Sequence, residues 1–377
     1  VAAGKLNQAI RIAFDQQVFL LQEYGGISRY VCSLSSQLNK MPEVEARIFS
    51  PLHYNGCLES LSKQSTWGIR VPRIPKTFRL VEFVSRHAAH IAASLYAPDI
   101  LHETYYSTDD YCPSGAKRIV TVYDMIYERF PSQFAGGQVT EAKKAAVSRA
   151  DHVLCISENT RRDLIEIFGV ASDRISVVYL GYDQLPVPAT AKGTMASLVG
   201  SRPYLLYVGS RGGYKNFDSL LRAFASSAYL KAHVSLYCFG GGVLSGEERD
   251  LIHELKLSDE QIRQFSGGDE TLALLYQNTA AFVYPSLYEG FGIPPLEAMS
   301  LNCPVISSNT SSIPEVVGDA GEYFDPGNME SIRSAIESVL ESPTRRNDLV
   351  MKGRARCAEF SWARCASETL TIYRSLV

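Results

Sequence analysis

Short apolar runs alternate with helix-patterned segments along nearly the whole chain, and this alternation restricts its fold more than any other feature. Each run has the length and composition of a buried strand. The runs are 10–15, 46–51, 98–103, 117–123, 152–156 and 175–179, followed by 204–208, 234–239, 262–265, 281–284 and 305–308. Strands that alternate with helices form open parallel sheets with helices on both faces. The sequence therefore predicts an α/β fold built of doubly wound parallel sheets.

A change of composition near the middle of the chain separates the two series of strands. The segment from Pro186 to Gly200 is rich in proline and small residues, which is typical of a linker. A chain of 377 residues is also long for a single hydrophobic core. We therefore predict two domains, residues 1–186 and 187–360, which face a central cleft. A final helix, 361–377, carries an apolar stripe suited to packing on a neighbouring surface.

Composition limits the kinds of partner. With 37 basic and 40 acidic residues the net charge is −3, so no broad basic surface for nucleic acid is expected. The eight cysteines form no CxxC pair and no cluster with histidine, which predicts buried free thiols in a reducing compartment, namely the cytoplasm. We expect no membrane span, because no apolar run reaches about 18 residues. The first 20 residues lack the basic-then-apolar pattern of a secretory signal.

The segment Pro285–Met299 predicts an anion site between a strand and a helix. Pro294 and Pro295 suit the first turn of that helix, where a missing amide hydrogen costs nothing. The positive end of the helix dipole would then point at a phosphate, together with backbone amides. These amides belong to Phe291, Gly292, Ile293, Leu296 and Glu297.

Two carboxylates, Glu289 and Glu297, bracket this turn eight positions apart. Each would suit hydroxyl groups better than phosphate, because a carboxylate accepts charge-assisted hydrogen bonds. A ligand with phosphates between two polyols, a sugar nucleotide, fits the whole segment. The alternative is that Glu297 is an acid of the first helical turn, stabilised by the dipole, and that Glu289 is a solvated loop residue.

Two further glycine-bearing loops follow the first strand of each series. In the loop 209–215, Arg211 and Lys215 lie four positions apart and can converge on one diphosphate, unless the loop is simply solvated. Gly25 and Gly26 lie where a strand leads into a helix and would let the backbone approach a ligand closely. The loop with Gly25 and Gly26 can also be an ordinary turn, and it does not spell G-x-G-x-x-G, which argues against a dehydrogenase.

These segments resemble the retaining nucleotide-sugar glycosyltransferases of family four. Glu289 and Glu297, with Gly-Phe-Gly-x-Pro between them, are similar to the E-x7-E signature of that family. The segments 209–215, 308–316 and 318–321 are similar as well, and the first domain resembles the family more loosely through 25–30 and 150–160. The resemblance implies the GT-B fold, with two Rossmann-like domains and a last helix that crosses back to the first. It also implies a nucleotide diphosphate sugar as donor, held mainly by the second domain, and no metal.

The same resemblance implies roles for individual residues. Arg211 and Lys215 would hold the diphosphate, and Glu297 the ribose hydroxyls. Glu289 and the backbone of 291–293 would hold the transferred sugar. The other donor-binding residues that it implies are Gly25, Gly26, Ser210, Ser266, Gly267, Gly268, Phe291, Gly292, Ile293 and Leu296. The segment 265–268 would lie near the base, although the loop after it is shorter than usual and does not identify that base.

One departure from the family concerns a His-Asp pair, which here reads Tyr123-Asp124. A tyrosine, with a pKa near 10, is no base at neutral pH. Asp124 or His102 is therefore expected to substitute for the missing histidine, although His102 fits a structural role equally well. The predicted catalytic residues are Glu289, Asp124, Arg211 and Lys215.

The sequence thus predicts a retaining, metal-independent hexosyltransferase that works by front-face substitution. A UDP-sugar such as UDP-glucose is favoured as donor over GDP-mannose, and the acceptor is a glycan or lipid-linked saccharide. A sugar-nucleotide 2-epimerase and a noncatalytic sugar-nucleotide-binding protein are the alternatives. The epimerase would convert the donor without any acceptor.

A basic and apolar stretch of the first domain offers two interpretations. Its cations are Arg73, Lys76, Arg79 and Arg86, and its apolar residues are Phe78, Leu80, Val81, Phe83 and Val84. These side chains either rest on an anionic membrane at its cytoplasmic face or form a helix with an ordinary core face, which is the favoured interpretation.

Overall fold

The chain folds into two compact units, described here from a computed structural model that covers residues 9–134, 137–187 and 202–377. The first unit comprises residues 1–181 and 361–377, and the second comprises residues 182–360. Most of the predicted linker, Pro186 to Gly200, lies outside the described residues. The second unit is therefore inserted, in sequence, between two parts of the first.

The first unit contains a seven-stranded parallel sheet in the order β3-β2-β1-β4-β5-β6-β7. Its strands are β1 Ile10–Phe14, β2 Val44–His53, β3 Thr66–Arg70, β4 Ile100–Glu103, β5 Lys117–Val122, β6 His152–Cys155 and β7 Ile175–Val177. Its helices before residue 182 are α1 Gln17–Leu21, α2 Gly26–Leu38, α3 Phe78–Tyr96, α4 Ile126–Arg129, α5 Gln138–Arg149 and α6 Glu158–Phe168. The strand order reverses between β1 and β4.

The second unit contains a six-stranded parallel sheet in the order β10-β9-β8-β11-β12-β13. Its strands are β8 Tyr204–Val208, β9 Ser235–Phe239, β10 Ile262–Phe265, β11 Ala281–Tyr284, β12 Val305–Ser308 and β13 Gly321–Phe324. Its helices are α7 Phe217–Ser226, α8 Ala228–His233, α9 Gly246–Glu254, α10 Asp269–Asn278, α11 Ile293–Ser300, α12 Ile313–Val317, α13 Met329–Glu341 and α14 Pro343–Cys357. Here the order reverses between β8 and β11. Apolar side chains of the strands and of α7 and α13 form one buried core.

The alternating pattern predicted this architecture, and each of the eleven expected strands is present. Two edge strands, β3 and β13, were not predicted. Each contains a glycine and charged or polar residues, and β3 is mostly exposed, so neither has the apolar pattern of a buried strand. Two helices, α7 and α8, lie between β8 and β9, because the Ser227 side chain accepts a hydrogen bond from the amide of Leu230 and caps the second of them.

The last helix, α15 Trp362–Leu376, belongs to the first unit and packs on α2. Its buried face consists of Trp362, Cys365, Ala366, Thr369, Leu370 and Tyr373. The chain enters it in close contact with an earlier segment: a Cβ atom at Gly181 would lie 2.2 Å from the backbone nitrogen of Trp362. Glycine is therefore required where these two stretches of backbone meet.

Helix α3 contradicts the interpretation that its first turns carry an ordinary core face. Leu80 and Phe83 are 66% and 54% exposed. The buried residues of α3 are instead Ser85, Ala89, Ala93 and Tyr96. Three of these side chains are small, and they allow the helix to lie close to the sheet, which leaves the larger apolar groups outside.

Two smaller predictions concern thiols and membrane spans. All eight cysteines are free, and Cys155 and Cys238 are buried within strands, as predicted. In the described part of the chain, no helix combines the length and apolarity that crossing a membrane requires.

Candidate active site

Two loops of the second unit meet at the carboxyl edge of its sheet, where the strand order reverses. The loop 209–216 follows β8, and the loop 285–292 follows β11. The amide of Leu287 donates to the carbonyl of Tyr214 at 2.8 Å, and the side-chain amide of Asn216 donates to the carbonyl of Pro285 at 3.0 Å. In open α/β sheets this edge is the usual place for a ligand.

Lys215 and Glu289, one from each loop, form an ion pair there. The ammonium of Lys215 donates to both carboxylate oxygens of Glu289, at 2.7 and 2.9 Å. Both side chains are largely shielded from solvent. The structure thus brings together Lys215, which was predicted to bind the diphosphate, and Glu289, which was predicted to bind the transferred sugar. It contradicts the alternative in which Glu289 is a solvated loop residue.

Serine side chains from the segment after β12 hold the loop that carries Glu289. The hydroxyl of Ser311 accepts a hydrogen bond from the amide of Glu289 at 2.9 Å. The hydroxyl of Ser312 lies 2.8 Å from the carbonyl oxygens of both Glu289 and Phe291. Sequence similarity marked 308–316 without giving it a role, and the structure now supplies one, since this segment fixes the backbone around Glu289.

The predicted turn into α11 is present. Gly292 precedes the helix with a φ of +121°, which favours glycine, and the two prolines fall within the first turn. Glu297 lies beyond that turn and is 8% exposed, so it is not the dipole-stabilised first-turn acid of the alternative interpretation. Its carboxylate lies 3.5 Å from the hydroxyl of Tyr276. Burial, together with the charge of Glu297, raises the pKa of Tyr276 well above its usual value, so this hydroxyl keeps its proton.

Arg211 is used differently from Lys215. Its guanidinium is buried and donates to the Glu248 carboxylate at 2.7 Å and to the Gly240 carbonyl at 2.7 Å. The same group donates to the carbonyls of Gly242 and Val243, both at 3.0 Å. These bonds fasten the loop after β8 to the loop after β9. The predicted contact between Arg211 and a diphosphate stays a prediction, and the contacts seen here are with protein groups.

Sequence reasoning missed the partners of Arg211. Glu248 caps α9 together with Ser245 in a reciprocal pair of hydrogen bonds. Burial acts to raise the pKa of Glu248, but hydrogen bonds from Arg211 and Ser245 outweigh it and leave that pKa lowered, so the carboxylate stays charged. Gly240, Gly241 and Gly242 all have positive φ, between 68° and 84°. The Ser-x-x-Glu capping pattern and the three consecutive glycines were visible signals.

The residues predicted near the base lie at the same edge of the sheet. Ser266, Gly267 and Gly268 connect β10 to α10. Gly267 has a φ of +156°, and a Cβ atom there would lie 2.8 Å from the side-chain oxygen of Thr271. The amide of Gly240 donates to the carbonyl of Phe265, so this connection borders the glycine loop. Ser210 lies beside Arg211, and its carbonyl accepts a hydrogen bond from Tyr207.

The other predicted residues lie in the first unit. Gly25 precedes α2 and Gly26 begins it. A Cβ atom at Gly25 would lie 2.2 Å from the side-chain oxygen of Gln22, whereas one at Gly26 would meet no described atom within 4 Å. A side chain at Gly25 would thus displace the end of the Gln22 side chain, whereas Gly26 leaves open space at a helix N-terminus.

His102 does not substitute for the missing family histidine. It is 1% exposed, and its ring nitrogens lie 2.5 Å from the hydroxyl of Tyr373 and 2.8 Å from the hydroxyl of Thr121. Burial lowers the pKa of His102 to about 3, so the ring is neutral at physiological pH. It is a structural histidine that fastens α15 to the sheet. Tyr123 is also buried, and its hydroxyl donates to the carbonyl of Thr104 at 2.9 Å.

Asp124 remains a partly exposed carboxylate. Its Oδ1 accepts a hydrogen bond from the amide of Ile126 at 3.1 Å. The fully buried Lys143 donates to the backbone carbonyl of Asp124 at 2.9 Å and to the carboxylate of Glu128 at 2.7 Å. Sequence reasoning did not identify Lys143 or Glu128, which fix the backbone that presents Asp124.

Family comparisons decide what kind of protein carries this site. The family described as "Glycosyltransferase Family 4" matches residues 24–184, and the family described as "Glycosyl transferases group 1" matches residues 196–356. The chain is a family 4 glycosyltransferase. The predicted family is confirmed, and so is the prediction of Rossmann-like units of the GT-B class.

Similar proteins agree with this assignment. The glycosyltransferase is 29% identical over 355 residues to the O-antigen chain mannosyltransferase B of Escherichia coli, covering 91% of this chain and 89% of the relative. Its fold is similar to that of sucrose-phosphate synthase from Thermosynechococcus elongatus, with a TM-score of 0.75 and 21% identity over 97% and 99% of the two chains. The Anabaena HepE complex with UDP-glucose gives a TM-score of 0.73 and 15% identity over 97% and 100%.

Within 9–134, 137–187 and 202–377, no three His, Cys, Asp or Glu side chains are grouped in a way that could hold a metal ion. Metal independence stays a prediction.

Proposed function

We propose that this glycosyltransferase moves a hexose from a nucleotide diphosphate sugar to a glycan or lipid-linked saccharide, with retention of anomeric configuration and without a metal. The contact between Lys215 and Glu289 at the carboxyl edge of the second sheet carries the proposal. It places a cation and a carboxylate next to the N-terminus of α11, which favours negative charge. A nucleotide diphosphate sugar carries a diphosphate that suits the cation and sugar hydroxyls that suit the carboxylate.

Binding of the donor would separate Lys215 from Glu289, and each would then contact a different part of the donor. The diphosphate would take the ammonium of Lys215 and the helix-terminal amides of 291–293. Glu289 would then accept hydrogen bonds from the hydroxyls of the transferred sugar, and Glu297 from those of the ribose. Because both carboxylates are shielded from solvent, their hydrogen bonds to hydroxyls would be stronger than in water.

Transfer would proceed on one face of the sugar. The bond from the anomeric carbon to the diphosphate oxygen breaks, the bond to the acceptor oxygen forms, and the acceptor proton moves to the departing diphosphate. Negative charge grows on that diphosphate, so Lys215 and the helix terminus stabilise the transition state more than the ground state. No enzyme nucleophile is needed. Asp124 would orient the acceptor hydroxyl from the first unit.

Arg211 has a supporting part in this proposal. Since its donors are directed to Glu248 and to carbonyls of the glycine loop, we assign it the placement of the 209–215 loop rather than the diphosphate contact predicted from the sequence. Lys215 is then the principal cation of the donor site.

We propose a mannosyl donor, ahead of the UDP-glucose favoured by the sequence. The Escherichia coli relative is a mannosyltransferase and matches 91% of the chain, whereas the HepE complex with UDP-glucose is only 15% identical. A ligand that binds only the folded state stabilises that state by about 2.7 kcal/mol at one hundred times its Kd, and by less when it binds more weakly. At equal concentrations we therefore expect GDP-mannose to raise the thermal midpoint of the protein more than UDP-glucose does.

Calorimetry with matched concentrations of GDP-mannose, UDP-glucose, GDP and UDP measures this preference. NMR of the donor with enzyme alone separates transfer from 2-epimerisation. A C2 epimer formed without acceptor would identify an epimerase instead. If none of the four nucleotides shifted the midpoint, the proposed donor site would be wrong.

We further propose that the exposed part of α3 contacts an anionic membrane. Leu80 and Phe83 are exposed, and the cations Arg73, Lys76 and Arg79 lie just before them in the sequence. Apolar side chains flanked by cations are typical of helices that lie in the interface of an anionic bilayer. This surface would bring the first unit to a lipid-linked acceptor.

Leu80→Glu is expected to reduce binding to phosphatidylglycerol vesicles at least tenfold, because burying one leucine is worth about 1.5–3 kcal/mol. Vesicle sedimentation at low salt measures the bound fraction. Val243→Glu, at an exposed position of the second unit, is the matched control and should bind as the parent does. Equal binding by Leu80→Glu and the parent would exclude this surface.

A further inference from the structure

A crevice occupies the carboxyl edge of the first sheet, where its strand order reverses between β1 and β4. It has a volume of about 160 Å³ and lies between the ends of these strands and α3. Its wall includes Phe14, Gln16, Phe78, Glu103, Tyr106 and Tyr111. The reversal point of an open α/β sheet is the usual place for a ligand, and here it falls within one unit.

Gln16 supplies the first observation that points to a ligand. It is 5% exposed and lines the crevice. Its side-chain oxygen is buried and has no hydrogen-bond partner among the described residues. A buried acceptor without a partner is costly and uncommon, so such a group calls for an explanation. A hydroxyl donor bound in the crevice would satisfy it.

The charge of the crevice wall restricts the chemistry of the group that can donate a hydrogen bond to Gln16. Asp15, Glu82, Glu103 and Asp109 line the crevice; Glu103 is paired with Arg149, and the other three carboxyl groups still outnumber the one arginine of the wall, Arg86. Burial lowers the pKa of His90, the one histidine of the wall, although the neighbouring Asp109 acts in the opposite direction. Carboxylates in excess of cations disfavour a phosphate or carboxylate ligand and favour hydroxyl donors.

Two of these carboxylates are held in place by the protein. Asp15 accepts a hydrogen bond from the amide of Thr104 at 3.0 Å, and Glu103 accepts from Arg149 at 2.8 Å. Burial raises the pKa of Glu103 to about 7, with a smaller contribution from the charge of Asp15. The wall therefore combines fixed polar groups with the aromatic rings of Phe78, Tyr106 and Tyr111.

We propose that this crevice binds one uncharged sugar ring of the acceptor saccharide. The inference rests on the proposed transfer reaction and narrows its acceptor to a glycan whose bound residue carries no phosphate or carboxylate. The volume is comparable to that of a cavity of about 150 Å³ that admits one six-membered ring. Gln16 and the carboxylates bind the ring hydroxyls, and the aromatic residues cover its C–H faces.

Gln16→Met tests the proposal, because methionine has nearly the same size and removes the amide. The probes are methyl α-D-mannoside and mannose 6-phosphate, observed by ligand-detected NMR with the whole protein. We expect the parent to bind the uncharged glycoside more tightly than the phosphate. Gln16→Met should weaken binding of the glycoside about tenfold, and its thermal midpoint should equal or exceed that of the parent, because an unsatisfied acceptor is gone.

Gln37→Met is the control, since Gln37 lies on α2 away from the crevice, and it should bind the glycoside as the parent does. The proposal is overturned if Gln16→Met keeps the parental affinity, or if mannose 6-phosphate binds as well as the glycoside. Binding of the nucleotide-sugar donor distinguishes failure of the crevice proposal from failure of the proposed transfer reaction. A donor that binds the parent while Gln16→Met leaves glycoside affinity unchanged defeats only the crevice. Glycoside binding that depends on Gln16, without any donor that binds, defeats only the transfer reaction.

Discussion

Lys215→Met is expected to lower kcat for sugar transfer by about 10²–10³-fold, which is the usual effect of removing one preorganised group that stabilises developing negative charge. The ammonium of Lys215 already lies beside the donor loop, held by Glu289 at 2.7 Å. Without it the departing diphosphate keeps only the helix-terminal amides. Initial rates at saturating donor and acceptor, compared with the parent, measure the loss.

The control for this variant is Lys256→Met, an exposed lysine of the same unit, which should transfer sugar at the parental rate. The fold of Lys215→Met should survive, because the Glu289 loop keeps its bonds to Ser311 and Ser312. A parental kcat in Lys215→Met would show that the principal cation of the donor site is another residue.

Arg211→Met is expected to lower the free energy of unfolding by about 3–5 kcal/mol, because it leaves one partner of a buried ion pair without the other. Glu248 would lose the guanidinium, and the carbonyls of Gly240, Gly242 and Val243 would lose their donors. Urea unfolding followed by circular dichroism measures this change. Activity should fall as well, through displacement of the 209–215 loop.

Arg211→Lys separates charge from geometry. Lysine keeps the positive charge but has no planar fork of donors, so it should recover only part of the stability. Arg249→Met, at an exposed neighbour of Glu248, should leave the unfolding free energy unchanged. If Arg211→Met lost activity with no loss of stability, direct contact with the diphosphate, as predicted from the sequence, would be the better account.

The strands of the second sheet show how far sequence reasoning reaches. Buried strands β8, β11 and β12 were predicted with their observed bounds, because each is a short, mostly apolar run between turn residues. Edge strands β3 and β13 have one-sided or partial burial, and no comparable pattern identifies them. Edge strand β10 was nevertheless predicted with its observed bounds, so the missed strands are those in which polar residues and glycine obscure the pattern, not edge strands in general.

The candidate site, too, could be predicted only in part from the sequence. Lys215, Glu289 and Glu297 could be selected as candidates from the sequence, because each lies in or next to a local strand-to-helix turn. The different use of Arg211 could not, because it depends on Glu248, which is distant in sequence and reaches the arginine only through the folded sheet. Helix α3 misled for another reason: its small residues pack on the sheet, so its large apolar side chains were assigned to the wrong face.

The contact between Gly181 and the start of α15 has a consequence for synthesis of the protein. Residues 182–360 are completed before α15 emerges from the ribosome, yet α15 supplies the buried Tyr373 that bonds His102 in the first unit. Domains generally fold as units, from the N-terminus onward. Here the first unit is completed only after the second has been translated, and until α15 emerges the surface of α2 that receives it stays uncovered.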